Sequence, residues 1–329
     1  MGECCPPAGL QIAVLVPCLN EEEAIGSVVS EFRALLPEAQ VWVYDNGSDD
    51  RTSEVARQAG ARVRLEPRRG KGNVVRRMFA DIDADVYLLV DGDATYHASS
   101  ARRMVDLLLE DSLDMVTGAR AGHDGGAYRQ GHKWGNRVLT GLVGRIFGRQ
   151  CDDMLSGYRV FSRRFVKSFP ALSSGFEIET ELTVHALELR MPMADLSTPY
   201  KARVEGSSSK LRTIPDGLRI LRTIFGLVRD ERPLEFFSAL WVALVVAAVA
   251  IGSPVVLEFF ATGLVLRLPT AVLSVGLMLL GFLSLVCGLI LDTVTRGRRE
   301  LRRLAYLQVS PVVSRRSVRR LDDGAIHDR

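Results

Sequence analysis

Between residues 12 and 93 short apolar runs alternate with stretches of helical spacing. Residues 12–16, IAVLV, are an unbroken apolar run closed by Pro17, the pattern of a strand buried on both faces. A helical pattern follows from Glu22 to Leu36, and QVWVYDNGSDD (40–50) reads as a second strand running into an acidic turn. Arg51 to Ala59 has helical spacing, and ARVRLEP (61–67) reads as a third strand. After RRGKGN a further helix covers Val74 to Ile82, and VYLLVDGD (86–93) reads as a fourth strand. This alternation predicts an α/β fold with a mostly parallel central sheet and helices on both faces. Ligands of such sheets bind at the C-terminal strand ends. Pro17, Asp45 and Asp91 all fall at such ends, which predicts one site along one edge.

The second half changes character. Phe236 to Leu257 and Thr270 to Leu291 each run 22 residues without a charge, more than the roughly 20 that cross a bilayer. A soluble helix keeps a polar stripe, and these do not. The connection EFFATGLVLRLP carries only Glu258 and Arg267. Arg219, Arg222, Arg229 and Arg232 precede the first run and an arginine-rich segment follows the second. That bias predicts a two-span membrane hairpin with both termini cytoplasmic. In DGLRILRTIFGLVRDERP (216–233) the apolar positions fall at helical spacing. This suits an amphipathic helix, either at the membrane interface or packed on the soluble domain. The expected organisation is an N-terminal extension (1–10), a catalytic domain (11–210), a juxtamembrane helix (211–235), the hairpin (236–291) and a basic tail (292–329).

Composition narrows the class. The 329 residues are 47% hydrophobic and 25% charged, as in a globular protein, with a net charge of +3. From Arg296 onward ten arginines face Glu300, Asp322, Asp323 and Asp328, so the tail is basic and the remainder slightly acidic. A basic tail behind apolar spans suits an anionic membrane surface, and no nucleic-acid partner is expected. Cys4, Cys5, Cys18, Cys151 and Cys287 form no C-x-x-C pair, which suits a reduced, cytosol-facing domain. MGECCPPAGLQ lacks the basic start and apolar core of a secretory signal.

The fourth strand poses the chemical question. LLVDGDATY (88–96) ends an apolar run with Asp91 and Asp93 two residues apart. On a strand, positions i and i+2 share a face, so the two charges repel unless something positive lies between them. An Asx turn is one reading, and a divalent cation held by oxygen ligands is the other. RRGKGN lacks the Walker spacing, and no G-x-G-x-x-G follows the first strand.

VPCLNEE (16–22), YDNGSDDRT (44–52), GKG (70–72) and VDGD (90–93) resemble, in order, the motifs of glycosyltransferase family 2. With DMLSGYR (153–159), GFEIETEL (175–182) and the apolar hairpin, the chain is similar to the branch that moves sugars onto polyprenyl or dolichyl phosphate, over residues 10 to 292. The resemblance implies the A-type glycosyltransferase fold and an inverting, metal-dependent transfer from a nucleotide sugar. UDP-sugars are favoured over GDP-mannose as the donor. Asp91 and Asp93 would hold Mg2+ or Mn2+; Pro17, Asn20, Glu21, Asp45, Lys71 and Lys210 would bind the donor. Arg120, Lys133, Asn136 and Arg137 would meet the acceptor phosphate, with Asp153 orienting the acceptor or accepting a proton. Glu177 and Glu179 fall at a helix start, where acids are favourable for structural reasons alone. For Lys71 and Lys210, phosphate pairing and a merely solvated charge both stand open.

QGHKW (130–134) is near the Q-x-x-R-W signature of processive synthases, but Lys133 replaces the arginine and the string precedes Asp153. Two spans make no polymer channel, so processivity is rejected. A sugar-phosphate nucleotidyltransferase would show a glycine-rich N-terminal loop and no hairpin. A non-catalytic, membrane-anchored nucleotide-sugar sensor is the remaining competitor. Homo-oligomerisation stays open.

Overall fold

The computed structural model of the protein describes residues 9–121, 153–175, 177–201, 226, 229 and 232–311. It divides into two units, residues 1–217 with 302–329, and residues 218–301.

In the first unit the described strands are β1 (Ile12–Cys18), β2 (Ala39–Asp45), β3 (Arg62–Leu65), β4 (Val86–Leu89), β5 (Met115–Ala121), β6 (Arg159–Ser162) and β7 (Met193–Pro199). They form one sheet in the order β3-β2-β1-β4-β6-β5-β7. β1 pairs in parallel with β2 and β4, β2 with β3, and β5 with β7. Only β6 runs against its neighbours β4 and β5. The mostly parallel sheet expected from the apolar pattern is therefore present. β6 escaped that pattern because it is four residues long, with polar Arg159 and Ser162 at its ends.

The described helices of this unit are α1 (Glu22–Leu35), α2 (Thr52–Gln58), α3 (Lys71–Asp81), α4 (Ser100–Glu110), α5 (Arg163–Ser168) and α6 (Ile178–Glu188). Alternate residues of each central strand feed opposite faces. Ile12, Val14, Val16, Val86 and Leu88 pack with Ile25, Val29 and Phe32 of α1 and Met104, Val105 and Leu108 of α4. Ala13, Leu15, Tyr87 and Leu89 pack with Val75, Met78 and Phe79 of α3 and Ile178 and Leu182 of α6. Burial on both sides is why these strands read as continuous apolar runs rather than alternating ones. Each fully buried Leu, Ile or Phe contributes roughly 1.5–3 kcal/mol by leaving water.

The second unit holds α7 (Pro233–Thr262) and most of α8 (Leu268–Leu307), of 30 and 40 residues. At 1.5 Å per residue they extend about 45 and 60 Å, so both are long and apolar enough to cross a membrane. Gly263, at φ +70°, caps α7 in the left-handed conformation. Small residues seat one helix on the other. Ser274 Oγ donates to the Ala248 carbonyl at 2.8 Å, and a Cβ on Gly288 would come within 2.7 Å of Phe237. α8 does not stop at Leu291, where the expected apolar span ends, but runs on to Leu307. Good helix formers and the ion pair of Asp292 with Arg296, one turn apart, sustain it there. The proposed juxtamembrane helix lies largely outside the described residues.

His185 of α6 sits between the rings of Phe165 and Phe169, each at 5.3 Å, with Nε2 3.0 Å from Ser168 Oγ. Burial, with Arg302 adding to it, pushes its imidazole down to about 3. An unfolded chain protonates this histidine below its ordinary value of 6.5, and the native state does not until about 3. Its contribution is therefore complete above pH 6.5 and lost as pH falls toward 3, at about 1.4 kcal/mol per pH step. Denaturant unfolding in detergent between pH 7 and 4 should show His185→Leu with a flatter acid limb than wild type. Parallel curves for the two proteins would refute the assignment.

Candidate active site

The strand order turns at β1, whose successor β2 lies on one side while β4 lies on the other. Ligand crevices open at such switch points, beyond the carboxyl ends of the strands. Here the loops after β1 and β2 are laced together. Ser48 Oγ accepts from Asn20 N–H at 2.9 Å, Asn20 Oδ1 from Asp49 N–H at 2.8 Å, and Thr52 Oγ1 from Glu21 N–H at 2.8 Å. Asn20 takes φ +52°, a left-handed conformation that asparagine tolerates. Buried Asn46 ties the same edge to the next loop, donating to the Glu66 and Arg68 carbonyls and accepting from Gly70 N–H at 2.6 Å.

Gly70 and Gly72 owe their identity to a close approach. A Cβ on either would come within 2.2 Å of a carbonyl oxygen, of Ser174 and Ser173 respectively. Gly72 N–H donates to the Gly175 carbonyl at 3.1 Å. The GKG string, expected as loop, thus begins α3 at Lys71 and presses it against the segment that leads into α6. Lys71 Nζ then lies 2.5 Å from Asp91 Oδ1 and 2.5 Å from Glu179 Oε1. Burial alone would pull its ammonium down, but Asp91 and Glu179 outweigh it and hold it above its ordinary range. Burial pushes the Glu179 carboxyl up, opposed by Lys71.

Asp91 and Asp93 lie past the end of β4, in a turn and not on a strand face as expected. Asp93 Oδ1 accepts from Thr95 N–H and, at 2.6 Å, from Thr95 Oγ1, so the Asx-turn reading holds as well. The intervening Ala94 takes φ +56°, a local strain of about 1–2 kcal/mol for a side chain with a Cβ. Gly157 makes room for the first carboxylate, since a Cβ there would meet Asp91 Oδ2 at 2.3 Å.

These groups border a cavity of about 370 Å³ lined by, among others, Pro17, Glu21, Asn46, Lys71, Asp91, Asp93, Arg120, Glu179 and Tyr200. On its wall Arg120 binds Asp153 through two parallel contacts, Nε to Oδ2 at 2.6 Å and Nη2 to Oδ1 at 2.8 Å. The guanidinium carbon lies 5.6 Å from the Tyr200 ring centre. Tyr200 packs on Tyr96 at 5.3 Å, and burial raises the Tyr96 phenol well above its ordinary value.

The model of the family described as "Glycosyl transferase family 2" matches residues 13–169. Glycosyltransferase AglJ of Haloferax volcanii is 33% identical over 90% of this chain and 98% of its own length. The chain belongs to glycosyl transferase family 2. A Haloferax volcanii protein named dolichyl-phosphate hexose transferase is 28% identical over 67% of this chain and 95% of that protein. Among solved structures, glucosyl-3-phosphoglycerate synthase from Mycobacterium tuberculosis, in complex with Mn2+, UDP and glucosyl-3-phosphoglycerate, superposes with a TM-score of 0.55. It is 25% identical, over 67% of this chain and 80% of that one. The sheet is thus that of the A-type glycosyltransferase fold.

Within this family 2 glycosyltransferase, Pro17, Glu21, Lys71, Asp91, Asp93 and Arg120 reach the cavity together. Asn20 and Asp45 do not line it. Asp45 is buried and its carboxylate accepts from Ser48 N–H and, at 2.6 Å, from Ser53 Oγ, so it shapes the turn that carries Asn46. Lys133, Asn136, Arg137 and Lys210 lie outside the described residues. Among the described residues no three His, Cys, Asp or Glu side chains cluster as a metal cage. The site nonetheless fits a hard cation. Its donors are all oxygen, and Mg2+ or Mn2+ chemistry commonly takes one or two carboxylates with phosphate and water completing the shell.

Asn46, Tyr96, Tyr200 and Arg159 were not among the expected site residues. Arg159 is fully buried, donating to the Ser156 and Met154 carbonyls at 2.9 and 2.6 Å and to Thr183 Oγ1 at 2.8 Å. It pins the loop bearing Asp153 and Gly157 to α6. Its place at the end of D-x-x-S-G-x-R was the available signal.

Gly157→Ala should displace the Asp91 carboxylate and lower glycosyl transfer about 100-fold, the order expected for a misplacement near 1 Å. Near-UV circular dichroism would verify the fold, and a folded variant with undiminished transfer would remove Asp91 from the chemistry.

Proposed function

We propose that the chain transfers one monosaccharide from a nucleotide-diphosphate sugar, a UDP-sugar in preference, to the phosphate of a polyprenyl or dolichyl lipid. One combination of features carries this reading. A cavity edged by Asp91 and Asp93 and lined by Arg120, which is paired with buried Asp153, occurs in a chain with two helices long enough to cross a bilayer. The name of the dolichyl-phosphate relative and the UDP and Mn2+ of the mycobacterial structure support it.

In this reading Pro17, Glu21 and Asn46 bound the nucleotide end of the cavity, with Asn20 and Asp45 shaping the loops behind them. Asp91 and Asp93 hold Mg2+ or Mn2+, which when bound neutralises charge on the departing diphosphate. A lipid phosphate oxygen forms the new bond at the anomeric carbon from the face opposite the diphosphate. The old C–O bond breaks and its electron pair leaves with the nucleoside diphosphate, inverting the centre. A phosphate monoester has a second pKa near 6, so the acceptor arrives as an anion and requires no strong base. Asp153, already paired with Arg120, then acts as an anchor that aims the guanidinium at the acceptor phosphate. Lys133, Asn136 and Arg137 are assigned to the same acceptor phosphate, and Lys210 to the donor. Catalysis is assigned to the cytoplasmic leaflet, on the arginine bias flanking the apolar helices.

Detergent-solubilised protein, polyprenyl phosphate and Mn2+ should be incubated in turn with labelled UDP-glucose, UDP-galactose, UDP-N-acetylglucosamine and GDP-mannose. One UDP-sugar should carry label into the organic phase, EDTA should abolish the transfer, and Asp93→Asn should reduce it by on the order of 100-fold or more. Labelled lipid from none of the four, or full activity in Asp93→Asn, would sink the reading.

A further inference from the structure

Lys71 is shared between two carboxylates that differ in their surroundings. Its side chain is 10% exposed, that of Glu179 is 6% exposed, and that of Asp91 is 30% exposed. Asp91 is therefore the open end of the bridge and Glu179 the enclosed end. Their mechanical attachment differs in the same sense. Lys71 opens α3, which the glycine contacts clamp to residues 173–175 at the entry to α6, and Glu179 stands in the first turn of α6. Lys71 and Glu179 thus ride on one backbone assembly, whereas Asp91 belongs to the loop after β4.

One oxygen is left over. Glu179 Oε1 takes the ammonium, while Oε2 is buried and has no hydrogen-bond partner among the described residues. A buried carboxylate oxygen without a donor is costly, and such a group calls for an explanation. An ammonium has three hydrogens to give. A hydrogen withdrawn from Asp91 can turn to Oε2 of the same glutamate, so that the oxygen idle in the bridged state is satisfied in the released one.

We propose that Glu179 is a positioning residue that receives Lys71 when a divalent cation engages Asp91, so that it sets the affinity of the cation site without touching the cation. Until then Lys71 serves as the counter-charge of Asp91 and competes with the metal for it. Handing the ammonium to an enclosed carboxylate keeps it paired, since a buried charge stripped of its partner is strongly destabilising. The inference rests on the assignment of Asp91 and Asp93 as cation ligands made above, and goes beyond it in giving the glutamate a task.

The test is Mn2+ binding by full-length protein in detergent, read as the loss of the free-ion electron paramagnetic resonance signal, with and without UDP. Asp93→Asn marks the site. Glu179→Gln should weaken Mn2+ about tenfold, the low end of what outer partners of metal ligands contribute. Glu179→Asp keeps the charge but withdraws the seat by one methylene, and should weaken it similarly; a purely through-space attraction would leave that variant unchanged. In a Lys71→Met background, Glu179→Gln should have no further effect, because nothing remains to be received. Wild-type affinity in Glu179→Asp, or additive effects in the double variant, would overturn the handover while leaving the cation assignment intact. No Mn2+ bound by wild type, or binding indifferent to Asp93→Asn, would overturn both.

Discussion

Three carboxylates, Asp91, Asp93 and Glu179, face one small cavity, and one ammonium, that of Lys71, stands between two of them. Like charges in a space sheltered from water repel strongly, and their mutual approach is tolerable only because a cation is held in place. Much of the surrounding sequence serves that placement. Two glycines bring the start of α3 onto the 173–175 segment, a third clears space for Asp91, and Asn46 fastens the intervening loop to β2. The cavity is an electrostatic arrangement first, and its backbone contacts are the means of holding it.

A second pairing organises the opposite wall. Arg120 leaves the end of β5 and Asp153 precedes β6, yet their side chains meet in a bidentate, largely buried contact beside Tyr200. A planar guanidinium matched to a carboxylate is fixed in direction as well as in charge. Arg159 braces the same loop through carbonyl, hydroxyl and Met115 thioether contacts. The two walls therefore differ in kind. One gathers negative charge around the ammonium of Lys71, and the other presents a positive group whose partner restrains it.

Membership in glycosyl transferase family 2 accounts for the combination, because the family's fold delivers these loops to the same strand edge. The paired apolar helices add something the catalytic sheet does not require. Their lipid-length apolar surfaces and small-residue contacts form a unit separate from the sheet.

The apolar runs at 12–16 and 86–90 specified buried parallel strands, because a strand covered on both faces has no polar side to show. The same runs set the site at their ends, and the uncharged stretches at 236–257 and 270–291 specified long apolar helices. Asp91 and Asp93 stood out because two charges close an apolar run, whereas Lys71 and Arg120 were singled out by the family resemblance. Tertiary structure alone decided the rest. Whether Asp45 or Asn46 meets the cavity, that Lys71 reaches Glu179 across 108 positions, and that Arg120 belongs to Asp153 all depend on contacts between loops far apart in the chain. Periodicity reports which face of an element is buried; it carries no information about which distant side chain will lie opposite, because that is fixed only when the layers close.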